Sequence, residues 1–185
     1  MKIQYFATTN DHKLREVSHI LGYELEKIDL ELTEPQDMDL EVIARAKAEE
    51  AFQKTGKLIL VEDTGWYFDV WNGLPGPFAK FFLSTVGCEG ILKMLGAESK
   101  RRCVAKTVMA YHDGEQVHTF VGELAGTVAP EIQGTSLFGF DNIFIPDGHT
   151  RSYGEMTVEE KSSISHRFLA VSKLKEFLNE KEIDR

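Results

Sequence analysis

The sequence predicts an α/β fold built on a mixed sheet. Two observations carry this. Over the first third of the chain, β-forming segments alternate with segments of helical period, and two longer β-rich segments then flank the turn dipeptide Asp113-Gly114. Strand-helix-strand alternation implies parallel pairing through crossover helices, and a hairpin implies antiparallel pairing, so the sheet must be mixed. The length of 185 residues suits one full-sized α/β domain over 1–185.

Residues 2–8 read as the first strand. Leu14, Val17, Ile20 and Leu21 then recur at helical spacing over 11–21, and Gly22 supplies a C-terminal stop. A second strand is expected over 24–30, followed by an acidic loop from Glu31 to Asp39. The next helix runs from about Leu40 to Lys54 and ends at Gly56. Its Ala44, Ala46, Ala48 and Ala51 favour helix and permit close packing. Leu58-Ile59-Leu60-Val61 is continuously apolar, as a strand buried on both faces would be, and this strand is expected to end in Glu62-Asp63-Thr64-Gly65. Beyond the loop Asn72–Pro77, short helices are predicted near 78–85 and 88–95, and paired strands over 102–111 and 116–124. A loop-rich stretch, 130–154, follows. Thr157-Val158-Glu159-Glu160 forms a capping-box pattern, and Ser162 or Ser163 is expected to cap a terminal helix from Ser163 to about Lys181.

The net charge is -9, from 21 basic and 30 acidic residues. That balance argues against a generic nucleic-acid or anionic-membrane surface. An anionic small substrate would need a local basic pocket or a bridging cation. Cys88 and Cys103 are the only cysteines and read as free thiols in a reducing compartment. No apolar run approaches the ~18 residues of a membrane span, and the N-terminus reads as a strand and not as a signal peptide. A cytoplasmic protein is the expectation.

Four segments collect polar residues at the ends of predicted elements. Thr8-Thr9-Asn10-Asp11-His12-Lys13 joins the first strand to the first helix, where free N–H groups and the helix dipole favour phosphate; the plainer reading is that Thr9 or Asn10 caps the helix. Glu62-Asp63-Thr64 sets two carboxylates at the end of a buried strand, where a cation or an activated water would account for them. Glu31 and Glu34 follow the second strand and would lie nearby if the strands are neighbours; Mg²⁺ often uses one or two carboxylates plus water and phosphate. Phe138-Gly139-Phe140-Asp141 suits a stacked base with a hydrogen-bonded edge, or else a core-facing strand start. Lys161, Ser165, His166 and Arg167 crowd a helix N-terminus, where the dipole disfavours cations. An anionic ligand would reconcile this, as would pairing with Glu155, Glu159 and Glu160. Taken together, the four segments describe a nucleoside triphosphate with Mg²⁺.

These same segments resemble a known family. Thr8-x-Asn10-x-x-Lys13, Val61-Glu62-Asp63-Thr64, Gly73-Leu74-Pro75-Gly76-Pro77, Phe138-Gly139-Phe140-Asp141 and Lys161-x-x-x-Ser165-His166-Arg167 are similar to the motifs of the inosine triphosphate, or dITP/XTP, pyrophosphatases, and the resemblance runs from Phe6 to Phe177. It implies an elongated mixed sheet with helices in two lobes, a nucleotide cleft between them, and a homodimer. It implies hydrolysis of ITP, dITP and XTP at the α–β bond, with Mg²⁺. By resemblance, Thr8 to Lys13, Lys47 and Lys80 hold the triphosphate, and Asp63 and Lys13 are catalytic. Glu31 and Asp63 bind the metal, with Glu34 as the alternative to Glu31. Thr64 and Gly139 also line the substrate. Phe138 and Phe140 stack on or flank the base, and Asp141, Lys161, Ser165, His166 and Arg167 address the purine edge and sugar. The chain departs from the pattern at Thr9, where Gly is frequent, at Glu131, where Arg is frequent, and at Asn142, where Pro is usual. Two further readings stand beside this one: a nucleotide-binding sensor without turnover, and a related pyrophosphatase for other modified nucleotides.

Overall fold

The computed structural model describes residues 2–136 and 138–183. Its sheet is mixed and seven-stranded. The strands are β1 (Tyr5–Ala7), β2 (Glu26–Ile28), β3 (Ile59–Phe68), β4 (Pro75–Gly76), β5 (Arg102–His112), β6 (Val117–Val128) and β7 (Phe144–Pro146). The spatial order is β2-β1-β3-β5-β6-β7, with β4 paired to β3. β1 is parallel to β2 and β3, whereas β4 runs antiparallel to β3 and β7 antiparallel to β6. The helices are α1 (Asp11–Leu21), α2 (Leu40–Thr55), α3 (Ala79–Thr85), α4 (Gly87–Leu95), α5 (Val158–Ser162) and α6 (His166–Ile183). No helix among the described residues is long and apolar enough to cross a membrane.

The chain divides into two compact units, residues 1–63, 107–122 and 166–185, and residues 64–106 and 123–165. The first unit carries α1, α2 and α6 on its strands, and the two-residue side-chain period of a strand sorts their partners. Phe6, Leu60, Met109 and Tyr111 pack with Val17, Ile20 and Leu21 of α1 and Ala170, Val171 and Leu174 of α6. Ala7, Ile59, Val61, Val108 and Ala110 point the other way and pack on Leu40, Ala44, Ala48 and Ala51 of α2. Both faces of the strand are therefore buried, which is why its sequence is continuously apolar. The alanine row along α2 keeps side chains short where that helix meets the sheet.

In the second unit, Trp66, Phe68, Ile91, Leu95, Val128, Phe140, Ile143, Phe144 and Tyr153 form a hydrophobic cluster. Trp66 lies 4.7 Å from both Phe140 and Phe144.

Local signals explain the helix ends. Asn10 caps α1 through its side chain, and Gly22 and Gly56 close α1 and α2 in left-handed geometry. The Thr157–Glu160 capping box is present and opens α5. Two expectations are corrected. β3 does not stop at Glu62 but continues to Phe68. Ser162 and Ser163 do not cap the terminal helix: Ser162 ends α5, Ser163 is its C-cap, and α6 begins at His166.

Candidate active site

The continuation of β3 decides the geometry around Glu62 and Asp63. Side chains alternate across a strand, so neighbouring carboxylates must face opposite sides. Glu62 follows Leu60 toward α1 and α6, and Asp63 follows Val61 toward α2. Both are buried, at 4% and 8% exposure, and each meets its own cations.

On the α1 and α6 side, Arg167 is 1% exposed. Its Nε and Nη2 donate to Glu62 Oε2 and Oε1 at 2.7 and 2.8 Å, a bidentate pair. Its Nη1 donates to Glu16 Oε2 at 2.7 Å. Lys13 Nζ sits 3.2 Å from Glu62 Oε1. Burial works against the guanidinium charge, but Glu62 and Glu16 outweigh it and raise the Arg167 pKa further. Glu62 and Glu16 thus offset the Arg167 cation in the first turn of α6. Sequence reading missed Glu16. Its signal was present: an acid three residues after Lys13, one position before the inward-facing Val17.

On the α2 side, Lys47 Nζ donates to Asp63 Oδ2 at 3.0 Å and to Glu34 Oε1 at 2.8 Å. Burial disfavours this ammonium, yet Asp63 and Glu34 together hold its pKa above the usual lysine value. Two carboxylates thus converge on one positive charge. Glu31 is exposed, and its backbone carbonyl accepts from Lys54 Nζ at 2.7 Å. Of the two alternatives for a second acid beside Asp63, Glu34 is the one on the shared ammonium. Among the described residues, no three His, Cys, Asp or Glu side chains gather as a metal cluster.

The turn into α1 is capped from within. Asn10 Oδ1 accepts from the His12 and Lys13 N–H groups at 2.9 and 3.2 Å, and Thr8 Oγ1 accepts from Asn10 N at 3.1 Å. Asp11 pairs with Lys27 at 2.7 Å, and Arg15 Nη2 meets His12 Nδ1 at 3.1 Å. Thr9 is exposed.

In the second unit, Lys161 Nζ donates to Asp141 Oδ2 at 2.7 Å and lies 4.9 Å from the centre of the half-buried Phe138 ring. Asp141 is 5% exposed. Phe140 is a core residue, its ring taken up by Trp66 and Phe68. Gly139 adopts a positive φ of 59°, which turns the chain between the two aromatics. Lys80 is exposed on α3, Thr64 is half-buried in β3, and Ser165 and His166 are buried where α6 begins.

The matched family is described as the Ham1 family, and the match covers residues 4–177. The chain belongs to the Ham1 family. It is 42% identical over 180 residues to a dITP/XTP pyrophosphatase of Pyrobaculum aerophilum, covering 96% of each chain. It is 41% identical to an inosine triphosphate pyrophosphatase of Schizosaccharomyces pombe, over 94% of this chain and 93% of that one. The Ham1 protein of Staphylococcus aureus is a structural neighbour at a TM-score of 0.85 and 25% identity, covering 97% of this chain and 100% of that one. A HAM1 protein from Coxiella burnetii superposes at 0.84 with 26% identity, again covering 97% and 100%.

Proposed function

We propose that this chain is a Mg²⁺-dependent nucleoside-triphosphate pyrophosphatase that cleaves the α–β bond of ITP, dITP and XTP, releasing the monophosphate and pyrophosphate. In the cell it would act as one domain over 1–185, as a cytoplasmic homodimer, and clear non-standard purines from the nucleotide pool. The observation that carries the reading is Asp63. It is a nearly buried carboxylate on the same ammonium as Glu34, in a chain whose Ham1 relatives bear pyrophosphatase names.

The residues fit a divalent cation. Asp63 and Glu34 already converge on one positive charge, and Mg²⁺ requires only one or two carboxylates alongside water and phosphate oxygens. When bound, Mg²⁺ would neutralise charge on the phosphates. Asp63 then orients or deprotonates the attacking water at the α-phosphorus. Lys13, Lys47 and Lys80 supply positive charge to the departing pyrophosphate, and Thr8 to His12 hold its oxygens. Glu62 acts indirectly, fixing Lys13 and Arg167 from the other face of the strand. Phe138 stacks on the base, while Phe140 supports the loop from the core. Asp141 and Lys161 meet the purine edge. Thr64, Gly139, Ser165 and His166 line the substrate.

Discrimination against adenine follows from donor and acceptor pattern; rejection of GTP, which shares the 6-oxo group, must depend on its 2-amino group. Hypoxanthine and xanthine present a 6-oxo acceptor, where adenine presents an amino donor. A site built around a specific bond rejects a ligand that leaves buried groups unsatisfied. The test is product identification with Mg²⁺ and ITP, XTP, dITP, ATP, GTP or CTP. Pyrophosphate from the first three is expected, with little from the rest, and Asp63→Asn should abolish most turnover while the protein stays folded. Orthophosphate as the product, or near-normal turnover in Asp63→Asn, would overturn the assignment.

A further inference from the structure

The loop that carries Phe138, Gly139, Phe140 and Asp141 is closed by a clasp at its two ends. Asn142 Nδ2 donates to the Ser136 carbonyl at 2.7 Å, and Asn142 Oδ1 accepts from the Ser136 N–H at 2.9 Å. One amide thus fixes one peptide position through both of its polar ends. Gly154 makes room for it, since a Cβ there would overlap Asn142 Oδ1. The clasp sets the direction of the Ser136 hydroxyl, which donates to Asp141 Oδ2 at 2.9 Å and accepts from Phe138 N–H at 3.1 Å. Lys161 Nζ donates to that same Oδ2 at 2.7 Å. Two donors on one oxygen fix the rotation of a carboxylate that is 5% exposed, and among the described residues no hydrogen bond engages its other oxygen, Oδ1.

We infer that Ser136, held by Asn142, is a positioning residue for nucleobase choice: with Lys161 it pins Asp141 by Oδ2, so that Oδ1 is presented to an N–H on the base edge. This rests on the pyrophosphatase reading above. Hypoxanthine and xanthine carry an N1–H that a carboxylate oxygen accepts. Adenine carries a lone pair at N1, which that oxygen repels. A rotating carboxylate would discriminate less, because its position would adapt to either base. The Ser136 hydroxyl has a single proton, and spending it on Asp141 leaves its lone pair for the Phe138 N–H. The acceptor and the adjoining aromatic are therefore ordered by one side chain.

The experiment is steady-state pyrophosphate release from ITP and from ATP, with Mg²⁺, by the wild type, Ser136→Ala, Ser136→Thr and Asn142→Ala. Because Lys161 still holds Asp141, the loss acts on ITP as roughly one ordinary hydrogen bond, which predicts a KM for ITP raised roughly five- to tenfold in Ser136→Ala, with kcat near wild type. The kcat/KM for ATP should not fall, so the ITP-to-ATP ratio narrows. Ser136→Thr, which keeps the hydroxyl, should recover most of the KM, and Asn142→Ala should shift it in the same direction as Ser136→Ala. A merely structural role would instead lower kcat equally on both nucleotides by reducing the folded fraction, and that result would overturn the inference. An active wild type whose Ser136→Ala variant keeps its KM and its ratio would overturn this inference alone. A wild type that makes no pyrophosphate from ITP would overturn the functional reading, and this inference with it.

Discussion

Replacing Glu62 with Gln preserves the shape of the β3 side chain and removes its charge. Arg167 would then keep Glu16 as a close counter-charge, at 2.7 Å, while its bidentate partner becomes an amide whose NH₂ faces guanidinium donors. Removing one partner of a buried pair costs roughly 3–5 kcal/mol, because the remaining charge stays buried without compensation. The lower end applies here, since Glu16 remains and Lys13, 21% exposed at its side chain, can turn to water. A loss of about 3 kcal/mol corresponds to about 6–12 °C in melting temperature for a chain of this size. Thermal and urea unfolding of the nucleotide-free protein measure it. The double variant Glu62→Gln/Arg167→Met should be less destabilised than the sum of its singles by at least ~1 kcal/mol, because the charge left stranded by the first change is removed by the second. A loss below about 1 kcal/mol in Glu62→Gln, with a large loss of ITP affinity, would refute the reasoning. It would mean that Arg167 is held for the nucleotide and not for the fold.

Three other perturbations follow from the same geometry. Lys47→Met leaves Asp63 and Glu34 without their shared ammonium; the variant should lose about 2–3 kcal/mol and gain more melting temperature than the wild type from added Mg²⁺. Asp113 is raised by its burial, but the Gln116 N–H, His118 and the Glu115 N–H together bring its pKa down to about 2, from 3.8. Its stabilising contribution is thus fully present above about pH 4 and lost as pH falls through about 2, so Asp113→Asn should flatten the acid limb of a urea-midpoint profile in that window. At Gly122 an added Cβ would overlap the His166 carbonyl oxygen and Ala170 N of α6. These are backbone atoms that cannot rotate aside, so Gly122→Ala should cost about 2–3 kcal/mol by thermal unfolding.

What could be read from sequence was local. α1 and α2 are framed by Asn10, Gly22 and Gly56, and each signal acts within a turn of the residue it serves. The Asp113-Gly114 turn and the Thr157–Glu160 box are equally short-range, and both are present. The end of β3 was misread because adjacent acids ordinarily mark exposure. The groups that let them stay buried are remote, with Arg167 lying 105 positions from Glu62. No periodicity within a strand can report a counter-ion on another helix. The start of α6 was misread for a related reason. Nothing between Ser162 and His166 is a Gly or Pro, so the break between α5 and α6 carries no composition signal.

The strand period also separates Glu62 from Asp63. Read as a pair, Glu62 and Asp63 suggest one acidic centre. Read on a strand that continues to Phe68, they become two centres back to back: a closed cluster with Arg167, Glu16 and Lys13, and a more open one with Lys47 and Glu34. A guanidinium satisfied by the buried Glu62 and the partly buried Glu16 has little to gain from exchanging them. An ammonium shared between two acids, one of them mostly exposed, is easily displaced by a divalent cation or recruited by a phosphate. One face of β3 is therefore suited to hold α1 and α6 in place, and the other carries the more readily exchanged charges. This is why Asp63 and not Glu62 is the residue whose amide variant should separate turnover from folding.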